Sequence, residues 1–312
     1  MRQAGRWDPE FQKLRAHYGF YEFSENAELS AQASLLPRRF GVDAIILFYD
    51  ITTLAVAMGL PFRLMPERGP VPDRPIRTPA DVDELIARPD PERFEHILRL
   101  LALVKRELAG ALPVLVFAGA PFTLASYCIG TGKDLRATRQ FALRQSDAWY
   151  ALLEKLERAT IHFLDVLTRA GADAYQLFDS WAGELTLTEY RIWAQPQHQA
   201  IFSAVRQAPS ILFVKECPFL KLMAESGANV ISLGTRHDLA AARAEFPNLI
   251  FQGNVDHELL LSGTPEQVAA ATRECVAAGG GQRHIVNLNH GVDRATPGAN
   301  FESFVRTVRS PG

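Results

Sequence analysis

A chain of 312 residues accommodates one large α/β domain or two smaller ones. Its 33 Lys and Arg against 35 Asp and Glu leave a formal charge of −2, which excludes an overall basic field that would recruit nucleic acid or an anionic membrane. Cys128, Cys217 and Cys275 form no CxxC or CxxxH grouping, no run reaches the ~18 apolar residues of a membrane span, and Arg2, Arg6, Asp8 and Glu10 stand where a signal peptide would be apolar, so a disulfide framework, a structural zinc, a membrane span and export are all unexpected and a cytoplasmic location fits.

The chain opens on MRQAGR, with Arg2 and Arg6 flanking a small, flexible stretch, and continues into a polar helical segment, PEFQKLRAHYG. Seven runs rich in β-branched and aromatic residues follow: DAIILFYD (43–50), LPVLVFAGAP (112–121), ADAYQLFDS (172–180), SILFVKE (210–216), NVISLG (229–234), NLIFQGN (248–254) and HIVNLNHG (284–291). Each is nearly continuous in apolarity, as a parallel strand covered on both faces must be. Between them, 91–108, 146–171 and 264–281 space their apolar residues at three and four and end near Gly, the pattern of helices. The stretch 51–90, with its PERGPVPDRPIRTP, reads as an elaborated loop and helix.

The alternation of strand and helix, the length and the lack of a Gly/Ser/Pro linker predict a single domain over 1–312, a (β/α)8 TIM barrel. Seven strands leave one to find. MRQAGR is its natural place, as the end of a first strand that is truncated at Met1.

Polar residues recur at the strand ends that form the mouth of such a barrel: Asp50, Asp179 with Ser180, Lys215 with Glu216, Asn254, and Asn289 with His290. Asp50 and Ser180 would equally serve as helix caps, Tyr127 as a core aromatic with a satisfied hydroxyl, His290 as a structural histidine, and Arg2 and Arg6 as a solvated face. GTGK (130–133) is no phosphate loop, since Tyr127 stands where its first glycine belongs and Asp134 follows Lys133. GGG (279–281) follows a helix and reads as an exit before the last strand.

MRQAGR, RRFGVDAIILFYDI with AMGL, FAGAPFTLASY, GADAYQLFDSWAG, FQGN and NLNHG together resemble the uroporphyrinogen decarboxylase family, in order and through almost the whole chain. The resemblance implies a single (β/α)8 barrel, a homodimer, and removal of the four acetate carboxyls of uroporphyrinogen III to give coproporphyrinogen III in haem biosynthesis, with no metal or organic cofactor. Matched motif by motif, it implies Asp50 as electrostatic stabiliser of a protonated pyrrole, and Arg2 and Arg6 as carboxylate binders with one a candidate acid. Tyr127 and Ser180 become hydrogen-bonding positioners, and His290 a binder of substrate carboxylate.

The chain departs from that pattern at Tyr49 (Ser in the family), Trp7 (Tyr), Asn289 (Gly) and Gly234 (an acid), and KECPF (215–219) lacks a glycine-containing loop. Two alternatives compete. A corrinoid-dependent zinc methyltransferase shares the barrel, but its HxC motif meets Lys215 and Cys217 here; a catalytically silent tetrapyrrole-binding protein would bind without releasing CO2.

Overall fold

The computed structural model describes residues 5–65, 69–130 and 135–310. Its strands are β1 (Ile45–Ile46), β2 (Phe62–Met65), β3 (Gly69–Pro72), β4 (Val114–Gly119), β5 (Ala174–Asp179), β6 (Ser210–Val214), β7 (Val230–Ser232), β8 (Ile250–Gln252) and β9 (His284–Ile285). Seven of them pair in parallel in the order β1-β4-β5-β6-β7-β8-β9, so every apolar run read from the sequence supplies one strand of one sheet.

The apolar runs follow from the layering. β6 is buried at all five positions and β4 at five of six, because helices cover the outer face and the interior fills the inner one. The helix Ser146–Arg169 supplies much of that cover, burying Leu152, Leu153, Leu156, Thr160, Phe163, Leu164 and Leu167 along one stripe. The helix Pro265–Gly279 is set by a capping box between Thr264 and Gln267 and leaves through Gly280 and Gly281, both at positive φ, as the GGG run suggested.

The sheet curls, and its two end strands, β1 and β9, line the same cavity. They do not pair with each other among the described residues, so what is seen is a curled seven-stranded parallel sheet, part of a barrel wall. Met1 to Ala4 lie outside the described residues, and Gly5 to Trp7 form a turn, not the end of a strand.

Residues 51–90 hold an unforeseen element. β2 and β3 form an antiparallel hairpin in which Pro72 faces Phe62 and Pro70 faces Leu64. A two-stranded ribbon is all edge, and an edge tolerates proline because half its N–H groups face away from the ladder.

Tyr49 is buried and does not itself line the cavity, but it packs behind Phe117, which does. Its ring stacks on Phe117 at 4.1 Å, and its hydroxyl accepts from Phe117 N at 2.6 Å while donating to Phe117 O. Tyr49→Phe would leave both backbone groups unsatisfied, and each such group costs about 1–3 kcal/mol. Urea titration is expected to show a lowered midpoint with an unchanged slope.

Candidate functional site

The cavity inside the curl has a volume of about 1650 Å3. Its lining runs from Pro113, Asp173 and Pro209 at the strands' N-terminal ends to Asp50, Ser180 and Lys215 at their C-terminal ends. The volume therefore spans the sheet's height, and the polar part lies at the upper end.

Arg6, Asp50, Tyr127, Ser180 and His290 all line this one cavity. Arg2 lies outside the described residues. The backbone at Arg6 is held through its neighbours. Asp8 N donates to Gly5 O at 3.0 Å to close the turn, and the Asp8 carboxylate caps the helix Pro9–Arg15 and pairs with Arg39. Trp7, the large aromatic that replaces the family's tyrosine, is buried with its ring 4.7 Å from Phe301 and 5.3 Å from Phe40. Phe40 and Phe301 lie 5.2 Å from each other, so the three rings form one cluster that seats the turn carrying Arg6.

Asp50 is buried, and its Oδ1 accepts from Thr52 N at 2.8 Å and from the Thr52 hydroxyl. The helix Thr53–Ala57 is capped at Thr52, so Asp50 braces the turn that precedes the helix while still reaching the cavity. Burial first, and then the Asp50 charge, push the Tyr21 hydroxyl and the Glu25 carboxyl above their ordinary values. Both effects mark Asp50 as the source of a negative field at this corner.

Tyr127 sits on the helix Pro121–Ile129 and meets Trp181 edge to face at 6.3 Å. The turn carrying Ser180 and Trp181 is built on Asp179, which is fully buried. Asp179 Oδ1 accepts from Thr123 Oγ1 at 2.6 Å and Ala182 N at 3.3 Å, and Thr123 Oγ1 in turn accepts from Trp181 N at 3.2 Å. Asp179 Oδ2 accepts from His198 Nε2 at 2.9 Å, and the other ring nitrogen of His198 faces Tyr190 OH at 3.4 Å. Burial, with Cys217 and Asp179 nearby, pushes the Tyr190 hydroxyl well above its usual value. One carboxylate thus joins the helix of Tyr127 to the turn of Ser180.

A second carboxylate organises the opposite wall. Glu216 holds φ at 44°, a conformation that suits glycine and costs a residue with a side chain about 1–3 kcal/mol. Its carboxylate offsets that cost, accepting from Thr235 N at 3.1 Å, Thr235 Oγ1 at 3.2 Å, Arg236 N at 3.3 Å and Asn289 Nδ2 at 3.0 Å. Burial alone would raise its pKa, but these donors outweigh burial and hold it below the ordinary range. A Cβ at Gly234 would lie 2.7 Å from this carboxylate, so the acid missing at 234 is met by one reaching over from 216.

Sequence reasoning recognised Asp179, Lys215, Glu216 and Asn289 as strand-end polar residues but assigned them no role. It missed His198 and His257. His257 carried a usable signal, since Asp256, His257 and Glu258 directly follow a strand end; His198 lies within a helix and carried none.

The methyltransferase alternative finds little support in the geometry. Cys217 is buried, its thiol pushed up to about 12 chiefly by burial, and the imidazole beside it, His237, bonds the Cys217 carbonyl at 2.7 Å. Among the described residues no group of three or more His, Cys, Asp or Glu side chains is placed to hold a metal ion.

A family model described as Uroporphyrinogen decarboxylase (URO-D) matches residues 1–311. The protein named uroporphyrinogen decarboxylase from Gloeobacter violaceus is 40% identical over 99% of this chain and 92% of its own length. Its namesake from Rhodococcus opacus is 41% identical over 99% and 90%, and that from Thermus thermophilus 38% over 99% and 92%. Among solved structures, a methyltransferase from Methanosarcina mazei superposes with a TM-score of 0.82 at 21% identity, covering 95% of this chain and 89% of that one. At that identity the likeness shows the fold alone.

Thr123→Val removes the hydroxyl that links Asp179 to Trp181 N. It is expected to lower stability by about 1–3 kcal/mol in denaturant titration, the cost of leaving buried partners unsatisfied.

Proposed function

The chain belongs to the uroporphyrinogen decarboxylase family, and on that premise we propose that it converts uroporphyrinogen III to coproporphyrinogen III, removing four acetate carboxyls without metal or organic cofactor. The observation that carries the reading is the convergence of Arg6, Asp50, Tyr127, Ser180 and His290 on one cavity larger than the ~300–1,000 Å3 that suffices for most small ligands.

The chemistry asks for these residue types. Each acetate leaves as CO2 only if the electron pair of the breaking C–C bond has somewhere to go. Protonation of a ring carbon makes the pyrrole a cation that accepts the pair; a second proton converts the resulting methylene to a methyl group, and the first proton returns to solvent. Asp50, placed against the ring N–H groups, stabilises the cation. At about 4 Å and an effective dielectric near 20 the gross attraction is about 4 kcal/mol, of which only the excess over the bound ground state accelerates the reaction.

Arg6 and Arg2 neutralise and orient the carboxylates, one of them being the candidate acid, while His290 binds another carboxylate and Tyr127 and Ser180 orient the macrocycle through hydrogen bonds. The charge pattern supports this division, with the buried carboxylate at Asp50 and the cationic side chains of Arg6 and Lys215 around one space. The proposal extends to a single (β/α)8 domain over 1–312, a homodimer and a cytoplasmic enzyme. In its support, both end strands of the sheet face one cavity, and the three cysteines are buried and unpaired.

An anaerobic assay that resolves products by their number of carboxyls tests the reading. The unmodified chain is expected to yield the tetracarboxylate. Asp50→Ala should lower kcat by at least about a hundredfold, the range seen when a preorganised electrostatic partner is lost. Turnover unchanged in that variant removes the role given to Asp50. Arg6→Ala should raise KM about tenfold or more with a smaller change in kcat, as loss of a uniform clamp requires.

A further inference from the structure

The cavity wall beyond β8 and β9 holds a second histidine. His257, first residue of the helix His257–Ser262, lines the cavity together with His290, their ring centroids 5.1 Å apart. Its side chain is 21% exposed, enough for a ligand to reach it.

The hydrogen bonds settle which face of the ring is available. Asn289 Nδ2 donates to Glu216 Oε1 at 3.0 Å, and Asn289 Oδ1 accepts from His257 N at 2.9 Å. A carboxylate only accepts and a backbone N–H only donates, so the amide has one orientation. Asn289 Oδ1 also lies 3.0 Å from His257 Nδ1, which must therefore carry a proton. Nε2 is the ring nitrogen left to meet a ligand. It lies 3.3 Å from Glu258 Oε1, a carboxylate on a side chain 64% exposed. A carboxylate oxygen thus already fits at Nε2, held by an arm that solvent can take up.

Resting on the decarboxylase reading above, we propose that His257 is a further substrate-binding residue: its Nε2–H takes a carboxylate of the macrocycle in exchange for Glu258, and Asn289 positions the ring. Glu216, through Asn289, keeps the imidazole turned to the cavity. His257 and His290 then form a paired imidazole subsite for the substrate's anionic arms.

Steady-state assays on His257→Gln, His257→Lys and Asn289→Leu, each confirmed folded by circular dichroism and thermal melting, test this. His257→Gln is expected to raise KM for uroporphyrinogen about tenfold with kcat within about twofold, His257→Lys to recover most of the loss by restoring a cation, and Asn289→Leu to raise KM severalfold. KM within about twofold of the parent in His257→Gln, or His257→Lys as weak as His257→Gln, overturns the proposal. Glu258→Gln gives an independent reading: KM should fall as the competing carboxylate is lost, and an unchanged or higher KM counts against exchange. Should the parent chain release no CO2, the decarboxylase reading fails, and equilibrium binding of the fluorescent octacarboxylate uroporphyrin decides the matter for His257. A weakening of about tenfold in His257→Gln supports the subsite, and equal affinity overturns it.

Discussion

Parallel pairing buried on both faces is the constraint on which the rest depends. A strand such as β6, with no exposed position, has no room for a solvated side chain along its length. Charged groups are admitted where the ladder stops, and in a parallel sheet every ladder stops on the same side. Asp50, Asp179 and Lys215 are gathered by that rule before any chemistry is specified. The curl then turns a row of strand ends into the rim of a cavity.

Three carboxylates make that rim rigid, and each does so by satisfying backbone. Asp50 braces the approach to Thr52, Asp179 pins the turn of Trp181 and Ala182, and Glu216 gathers the N–H groups of Thr235 and Arg236. Loops that leave buried strands carry orphan donors, and an ionised acceptor is their strongest remedy. The same negative groups set the field in which a polyanionic substrate must be received, which explains why cations and imidazoles are placed between them.

Much of this was legible in the sequence because it rests on local regularities. Seven apolar runs marked seven strands, and apolar spacing marked the helix Ser146–Arg169 almost to its ends. What escaped reading depends on residues brought together from afar. Nothing near Glu216 announces that residue 289 will bond it, or that residue 257 will share the amide. The β2–β3 hairpin was hidden because prolines argue against a strand except at an edge, and only the topology shows that both strands are edges. The bonds of Tyr49 to Phe117 were likewise out of sight, since they join residues far apart in the sequence.

The cluster of Trp7, Phe40 and Phe301 joins segments far apart in the sequence. Phe301 belongs to the helix Gly298–Arg309, whose final arginine also grips Gly41 O and Asp43. The turn that carries Arg6 is thus seated on a helix far along the sequence, so a disturbance of that helix reaches the cavity rim through Trp7.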